Sequence, residues 1–318
     1  MRNYIKNEIF KIKKVNNKMF TKINNRRFNK KVALISSNKY VNNVKEDILL
    51  KIELNNNYID CDIVSWESII DYKKYDAVII RSVWGYQDKI EDFIKFINKL
   101  KEDNIKAFND TNILLSNISK KEQFDLLDKY DIPHINTDFI YKDDINIENL
   151  NKYVDKDIVV KPIISGGGNN TYVISKENIK NNIKLNEIEN KYKDVLNDVN
   201  NYLMIQPFIK EINDGELSIV YIDNKLSHAA LRYTNVFNNN NLIKLVNIKD
   251  IKDALEVSDK VNNIIEYKTL YKRVDLVKIN DTYQVMEVEL VEPQLFLEYR
   301  QNKKALKEFV NVIKNKLN

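Results

Sequence analysis

The amino-acid sequence predicts an α/β fold in which an open parallel α/β domain near the N-terminus is followed by an α+β part. Three observations support this prediction. From residue 31 to about residue 118, short apolar runs alternate with segments of helical periodicity, which is typical of parallel strands with helical crossovers. Later in the chain, two pairs of apolar strands are joined by Asp223-Asn224 and Asn280-Asp281, residues that favour tight hairpin turns. The length of 318 residues, 43% of them hydrophobic, favours several subdomains over one compact core.

The open α/β domain is predicted to cover residues 31–118. Its apolar runs have the length of buried strands, and the segments between them have the spacing of amphipathic helices. Ligands of such a domain gather at the carboxyl ends of its strands. The predicted strands are 32–35, 61–64 and 77–80, and the predicted helices are 44–54 and 90–100.

Two further subdomains are predicted, 119–203 and 204–318. In the first, a helix over 119–130 ends before Pro133 and is followed by the strands 137–140, 158–161 and 171–174 and by a long helix over 179–199. The second is richer in antiparallel strands. Its predicted strands are 216–222, 226–232, 272–279 and 283–291, and a helix over 304–316 closes the chain.

Residues 1–30 form a basic extension. It carries a formal charge of +9, so the remaining residues carry −4 of the chain's net +5. Its apolar residues have a helical period, and the segment could lie on an anionic surface or against a protein partner. The alternatives are a partly disordered extension or a chain that starts at Met19. Because the rest of the chain is mildly acidic and has no helix-turn-helix, finger or RNP-like pattern, nucleic acid is excluded as a partner.

Other classes are excluded by residue type. A lone cysteine, Cys61, cannot form an internal disulfide, and neither it nor His134 and His228 lie in a zinc-binding spacing. His228 is interpreted as an interior hydrogen-bonded histidine and not as a catalytic one. Since no apolar run is long enough to span a membrane and no secretory signal is present, we expect a cytoplasmic protein. A homo-oligomer is compatible with the sequence.

A glycine cluster follows a buried strand that ends in Lys161. Three of the chain's five glycines stand in a row here, at 166–168, directly after Ser165. Backbone N–H groups free of side chains can surround phosphate oxygens, and the lysine supplies a positive charge. The segment is not a Walker A loop. A solvated hairpin tip is the alternative interpretation.

A second cluster is predicted where two antiparallel strands pair. Arg273 and Asp275 lie two residues apart on one strand, and Glu287 and Glu289 lie two apart on its partner, so each pair faces one side of the sheet. Three carboxylates on a common face repel one another unless cations lie among them. Oxygen ligands without His or Cys suit Mg²⁺. The alternative is an exposed sheet face whose acids are solvated or paired with lysines.

The order of these segments resembles the ATP-grasp superfamily of carboxylate ligases, and within it the cycloserine-ligase-like branch. The resemblance covers residues from about 31 to 300. The matching segments are Arg81-Ser-Val-Trp84-Gly-Tyr86, Lys121 ahead of Pro133, Val-Val-Lys161-Pro with the glycines, Met204-Ile-Gln206-Pro-Phe-Ile, Gly215-Glu216-Leu-Ser, Ser227-His228-Ala, Arg273-Val-Asp275 and Met-Glu287-Val-Glu289-Leu-Val-Glu-Pro293.

The resemblance implies an ATP-grasp fold that holds ATP and Mg²⁺ between two α+β subdomains. Lys121 and Lys161 would contact phosphates, and Ser165, Gly166, Gly167 and Gly168 would close over them. Gln206, Phe208 and Ile209 would offer backbone groups to adenine, and Glu211 would accept ribose hydroxyls. Asp275, Glu287 and Glu289 would bind one or two Mg²⁺. Arg273 would neutralise the charge that develops during phosphoryl transfer.

Arg81 ends an apolar strand at the side of the sheet where ligands gather. Its planar guanidinium matches a carboxylate bidentately, so we expect it to bind an acidic group of the substrate, with Trp84 and Tyr86 as walls of the pocket. A salt bridge to an acid of a neighbouring domain is the competing interpretation.

The expected function is an ATP- and Mg²⁺-dependent carboxylate–amine ligase that forms C–N bonds through an acyl phosphate and releases ADP. Its expected partners are a small-molecule carboxylate and an amine, and family analogy favours small amino-acid-like substrates of specialised metabolism. Two alternatives remain: a phosphotransferase on the same fold, and a nucleotide-binding regulatory or scaffold protein that has lost catalysis.

Overall fold

The computed structural model describes residues 28–146, 149, 152–180, 190–193, 195–233, 242–265 and 269–318. The predicted amphipathic helix of the basic extension lies outside these residues, as do residues 181–189 and 194 of the helix predicted over 179–199. Among the described residues, no helix combines the length and the apolar composition that a membrane crossing requires. The cytoplasmic location stays a prediction.

The first domain is a four-stranded parallel sheet with the strand order β2-β1-β3-β4. Because the strands are parallel, the carboxyl ends of β1 and β3 lie side by side, and the chain leaves them at Ser37 and Arg81. The predicted strands and helices are confirmed; β4 and α3 were not predicted. The elements are β1 (Lys30–Ser36), α1 (Lys45–Asn56), β2 (Ile59–Ser65), β3 (Ala77–Ile80), α2 (Ile90–Glu102), β4 (Ala107–Phe108) and α3 (Thr111–Asn117).

The second sheet is antiparallel, with the strand order β5-β8-β6-β7. Its last strand, β8, includes residues on both sides of the predicted boundary at 203/204. That boundary is therefore wrong, and the subdomain continues to Pro207, because β8 pairs with both β5 and β6. The elements are α4 (Lys120–Lys129), β5 (Asp138–Tyr141), β6 (Ile158–Pro162), β7 (Tyr172–Ile174), α5 (Lys176–Lys180) and β8 (Tyr202–Pro207).

The helix predicted over 179–199 differs from the structure at both ends. The described helical residues begin at Lys176, and residues 196–200 are not helical. Asn197 explains the end, because its side chain accepts hydrogen bonds from the backbone N–H groups of Val199 and Asn200. Such local bonds compete with the helical pattern.

The third sheet has five antiparallel strands in the order β11-β10-β9-β12-β13. Both predicted hairpins are confirmed, and Asp223, Asn224, Asn280 and Asp281 all have a positive φ, as a two-residue turn of type I′ requires. The elements are β9 (Glu216–Ile222), β10 (Lys225–Tyr233), β11 (Leu242–Val246), α6 (Lys252–Ile264), β12 (Tyr271–Ile279), β13 (Thr282–Glu289) and α7 (Lys303–Leu317).

The first and third sheets share one apolar core. Leu34 of β1 and Leu50 of α1 belong to the same buried cluster as Ile222 of β9 and Phe309 of α7. Asn109, at the end of β4, joins the two domains by donating hydrogen bonds to the carbonyl groups of Tyr271 and Leu290, at 2.9 and 2.8 Å. The edge of the first sheet is thereby held against the end of β13.

Candidate active site

A cleft with a volume of about 660 Å³ opens where the three sheets meet. The first domain contributes the loops at the carboxyl ends of β1 and β3, including Tyr40 and Trp84. The second contributes the glycine loop between β6 and β7, and the third contributes Glu287 and Glu289 of β13. Segments distant in sequence thus converge on one space.

The three predicted metal ligands lie together. In the β12–β13 ladder Asp275 pairs with Glu287 and Arg273 pairs with Glu289. One carboxylate oxygen from each of the three acids lies within 4.8 Å of the others. The alternative of an exposed sheet face with solvated acids is wrong, because Asp275 is fully buried and Glu287 and Glu289 are only partly exposed, in the cleft wall. The pairing with lysines that the alternative also allowed is present at Glu287, which lies 2.9 Å from Lys120.

Two arginines hold the fully buried member of this cluster. Arg273 donates to both carboxylate oxygens of Asp275, at 2.9 and 2.8 Å, and also contacts Glu289. Arg232 donates to Asp275 Oδ2 at 2.8 Å and pairs with Glu216. Arg232 was missed in the sequence. The signal for it was its position on β10 directly opposite Glu216 on β9, which is an opposite-charge cross-strand pair.

The pKa values of the three acids are shifted in different directions. Burial alone would raise the pKa of Asp275, but Arg232 and Arg273 outweigh it and lower that pKa to about 2. Burial likewise opposes ionisation of Glu287, and the charges of Lys120 and Lys161 outweigh it, so its pKa is lowered. For Glu289 burial dominates over Arg273 and raises the pKa to about 7. A divalent cation near these oxygens would favour the ionised form of all three.

Lys120, and not the predicted Lys121, reaches the cleft. The ammonium of Lys120 lies 2.9 Å from Glu287 Oε1 and 2.6 Å from the carbonyl oxygen of Ser165, and the side chain is almost fully buried. Lys121 points away and pairs with Asp125 at 2.6 Å. The prediction of Lys121 as a phosphate contact is therefore corrected. The helical spacing of the sequence could have predicted this choice, because Lys120 lies on the same helix face as Gln123, Phe124 and Leu127, the other buried residues of α4.

Lys161 lies on the face of β6 that is opposite to the subdomain core. Ile158 and Val160 alternate with it and belong to the buried cluster of that sheet. Burial lowers the pKa of Lys161, and the negative charge of Glu287 offsets this in part. Among the described residues it has no ion-pair partner. Its charge is therefore available to an anionic ligand.

The glycine loop is closed onto the first domain. Gly167 and Gly168 adopt φ values of +60° and +76°, which favour glycine. A Cβ atom at Gly166 would lie 2.4 Å from Gln87 Nε2, so a larger residue there would require the Gln87 side chain to move. The side chain of Asn169 donates to Asp88 Oδ1 at 3.3 Å. The loop joins paired strands, as a hairpin tip would, but it packs on a neighbouring domain.

The residues predicted to bind adenine and ribose lie at the end of β8 and in the connection from β8 to β9, and none of them lines the central cleft. Gln206 is buried and donates to Thr137 Oγ1 at 2.9 Å. The backbone N–H of Phe208 donates to the carbonyl of Asp157, and Ile209 is partly exposed. Glu211 lines a separate cavity of about 320 Å³. Their nucleotide contacts stay predictions.

Arg81 is structural in this molecule. Its guanidinium is 3% exposed, lies 2.7 Å from Glu46 Oε1 and 3.4 Å from Asp47 Oδ1, and donates to the carbonyl of Pro293. The expectation that it binds a substrate acid is corrected, because acids of α1 occupy its planar fork. Glu46 also accepts from the backbone N–H of Leu295, so this pair fixes the loop after β13.

Three other predictions concern ring side chains. Trp84 lines the cleft and donates from Nε1 to the carbonyl of Glu292 at 3.1 Å. Tyr86 also reaches the cleft wall but is 4% exposed and packs on Phe93. His228 bonds the carbonyl of Leu295 at 2.6 Å, and burial lowers its pKa to about 4. The interpretation of His228 as an interior hydrogen-bonded residue is confirmed.

The chain is similar to known proteins in sequence and in fold. Residues 32–109 match the family model of the N-terminal domain of the D-cycloserine synthetase DcsG, and residues 130–273 match that of the ATP-grasp domain of prokaryotic glutathione synthetase. No curated protein sequence matches the chain.

Several solved structures have a similar fold. D-cycloserine synthetase DcsG has a TM-score of 0.76 at 16% identity, over 91% of this chain and 100% of its own. D-alanine–D-alanine ligase from Bacillus anthracis complexed with ATP has a TM-score of 0.61 at 15% identity, over 91% and 97%. The ATP-grasp ligase PsnB complexed with minimal precursor, Mg and ADP has a TM-score of 0.59 at 13% identity, over 90% and 97%. These likenesses confirm the fold class that the sequence predicts.

Proposed function

Because the chain belongs to the ATP-grasp superfamily of ATP-dependent ligases, we propose that it phosphorylates a small amino-acid-like carboxylate and transfers the acyl group to an amine. Membership confirms the expected enzyme class, an ADP-forming C–N ligase, and the expected cofactors, ATP and Mg²⁺. The acyl-phosphate route and the substrate class are the parts that we propose.

The observation that carries the proposal is the charge arrangement of the cleft. Carboxylate oxygens of Asp275, Glu287 and Glu289 converge within 4.8 Å, and they form the all-oxygen donor set that Mg²⁺ prefers. Lys120 and Lys161 stand beside them, each close enough to shift the pKa of Glu287. A triphosphate and a divalent cation would each find complementary charges here.

The side chains of the cleft have distinct tasks in this reaction. Lys120 and Lys161 would bind phosphate oxygens, and Arg273 would stabilise the charge that develops on the transferred phosphoryl group. Mg²⁺, when bound, neutralises phosphate charge and orients the phosphates. The loop from Ser165 to Gly168, packed against Gln87, would exclude water from the cleft. This exclusion is needed because water hydrolyses an acyl phosphate.

The nucleoside would lie toward the connection between β8 and β9. Gln206, Phe208, Ile209 and Glu211 stand where the second sheet passes into the third. A position between two α+β subdomains suits a planar base, with backbone groups for its edge and Glu211 for ribose hydroxyls.

Hydroxylamine trapping tests the proposal. The protein is incubated with ATP, Mg²⁺, hydroxylamine and each of the standard amino acids in D and L form, and ADP, free phosphate and hydroxamate are measured. A ligase that forms an acyl phosphate releases all three in equal amounts. ADP with a stable phosphorylated product would instead indicate the phosphotransferase, and no ADP with any acid would indicate the catalytically silent protein.

A further inference from the structure

Glu292 is a carboxylate of the cleft wall that has no cationic partner among the described residues. Its neighbours along the chain are all paired: Glu287 with Lys120 and Glu289 with Arg273. Glu292 is also outside the group of three acids that could hold a metal. The metal site therefore does not account for it.

The first domain fixes the position of Glu292. Gln87 Nε2 donates to Glu292 Oε1 at 3.3 Å, and Trp84 Nε1 donates to its backbone carbonyl at 3.1 Å. Tyr40 packs edge-on against Trp84, with 5.1 Å between ring centroids, and both rings line the same cleft. The carboxylate and the two rings thus line one cleft, which is an environment that suits a cation, and the ammonium of Lys39 already lies 5.2 Å from the centroid of the Tyr40 ring.

We propose that Glu292 binds the ammonium group of the carboxylate substrate, which makes that substrate an α-amino acid or a close analogue. The inference rests on the proposed function, because it places the reacting carboxyl group beside Glu287 and Glu289. In an α-amino acid a single carbon separates the ammonium from the carboxyl group. Glu292 lines the same cleft as Glu287 and Glu289, and it lies near enough to both that burial, together with their negative charges, raises its pKa to about 8.

Glu292 could instead bind the amine that attacks the acyl phosphate, but the chemistry of that step disfavours an ion pair with the amine. An amine must lose its proton before it attacks an acyl phosphate, whereas a carboxylate partner stabilises the protonated form. The ammonium of the carboxylate substrate is not consumed and can stay charged throughout. A permanent ion pair is therefore useful for the substrate that is activated and unhelpful for the nucleophile.

One other unpaired carboxylate lies in the cleft wall. Asp88 is exposed at the rim and accepts a hydrogen bond from Asn169 of the glycine loop. Because water solvates it, an ion pair there would contribute less than one at Glu292. Replacing Glu292 should therefore weaken the preference for amino acids over des-amino acids, and replacing Asp88 should not.

The test compares each amino acid with the des-amino acid of the same carbon skeleton, with hydroxylamine as a small nucleophile common to all reactions. We expect the unsubstituted enzyme to have a higher kcat/KM for the amino acid than for the des-amino acid. In Glu292→Gln the ratio of these two values, amino acid over des-amino acid, should fall by about 10- to 100-fold because the KM for the amino acid rises. Glu102→Gln, at the exposed end of α2, is the matched control and should keep the ratio.

An unaltered ratio in Glu292→Gln would overturn the proposal, as would a ratio lowered by Asp88→Asn instead. If Glu292→Gln does not fold, Glu292→Asp takes its place, since it keeps the charge but withdraws it by one methylene group and should raise the same KM. If the unsubstituted enzyme forms hydroxamate from des-amino acids as well as from amino acids, the proposed function stands and this inference fails. If it forms none from any acid, both fail.

Discussion

Replacement of Lys120 by alanine should damage nucleotide binding, and the same change at Lys121 should not. Lys120 is held at 2.9 Å from Glu287 and at 2.6 Å from the carbonyl of Ser165, so its ammonium is fixed in the cleft. A lost charge-assisted contact to phosphate costs about 1.5–3 kcal/mol. Since about 1.4 kcal/mol is a factor of ten, the Kd for ATP should rise roughly 10- to 150-fold.

Lys121 is the matched control because it is the adjacent residue of the same helix. Its pairing with Asp125 is partly exposed, and exposed pairs of this spacing contribute roughly 0.3–0.5 kcal/mol to stability. Lys121→Ala should therefore leave ATP affinity unaltered and change the melting temperature little. Titration calorimetry with ATP and Mg²⁺ measures the affinities, and thermal melting verifies that each variant is folded.

Lys120→Ala has a second effect on the folded protein. Removing one partner of a buried ion pair leaves the other uncompensated, which commonly costs about 3–5 kcal/mol. Lys161 also lowers the pKa of Glu287, so the loss here should lie at the lower end of that range. An ATP affinity that falls equally in Lys121→Ala, or that is unaffected in a folded Lys120→Ala protein, would refute the placement of the nucleotide phosphates.

Three further changes have defined outcomes. Glu287→Gln should abolish Mg²⁺-dependent ADP release while the protein stays folded, and normal turnover would contradict its role as a metal ligand. Arg81→Lys should lose the planar guanidinium that holds Glu46 and Asp47, and should lower the free energy of unfolding, measured in urea, by about 1.5–3 kcal/mol. The kinetics of the folded fraction should be unaltered. A raised substrate KM at unchanged stability would instead indicate that Arg81 binds substrate. Burial lowers the pKa of His228 from 6.5, its ordinary value, to about 4 in the folded protein, so the unfolded chain binds a proton at higher pH than the folded protein does. The free energy of unfolding should therefore fall by up to about 3 kcal/mol as the pH drops from 6.5 to 4. His228→Gln should lack that part of the slope.

The sequence was sufficient where one local rule decides the structure. Period-two alternation placed Arg273 with Asp275 and Glu287 with Glu289 on their strands. The hairpin turn alone would set Asp275 opposite Met286, and a β-bulge between Asp275 and Leu276 shifts the pairing by one residue, so that Asp275 lies opposite Glu287. The choice between Lys120 and Lys121 could have been made from helical spacing. Arg81 could not be assigned from its strand end alone, because its partners lie on α1, at Glu46 and Asp47, and only the packed sheet brings them within reach.

Cross-domain contacts are the part that no local pattern predicts. The close approach of Gln87 to Gly166 joins the first domain to the glycine loop, and the bond from Gln87 to Glu292 joins it to the third sheet. Both contacts depend on how three separately formed sheets dock. Glycine at 166 was visible as part of a cluster, but its contact with a side chain from the neighbouring domain was not.

The ion pairs of the cleft give a reason for nucleotide and metal to bind together. Arg273 and Arg232 occupy Asp275, and Lys120 occupies Glu287. A triphosphate that bound alone would draw these cations away and leave buried carboxylates uncompensated, at a cost of several kcal/mol. A divalent cation that bound alone would displace the same cations from their partners. With both bound, phosphate oxygens would replace the carboxylates as partners of the cations, and the metal would replace the cations as partner of the carboxylates, so that no charge would be left unpaired. ATP affinity should therefore rise steeply with Mg²⁺ concentration, and Glu287→Gln should weaken that dependence.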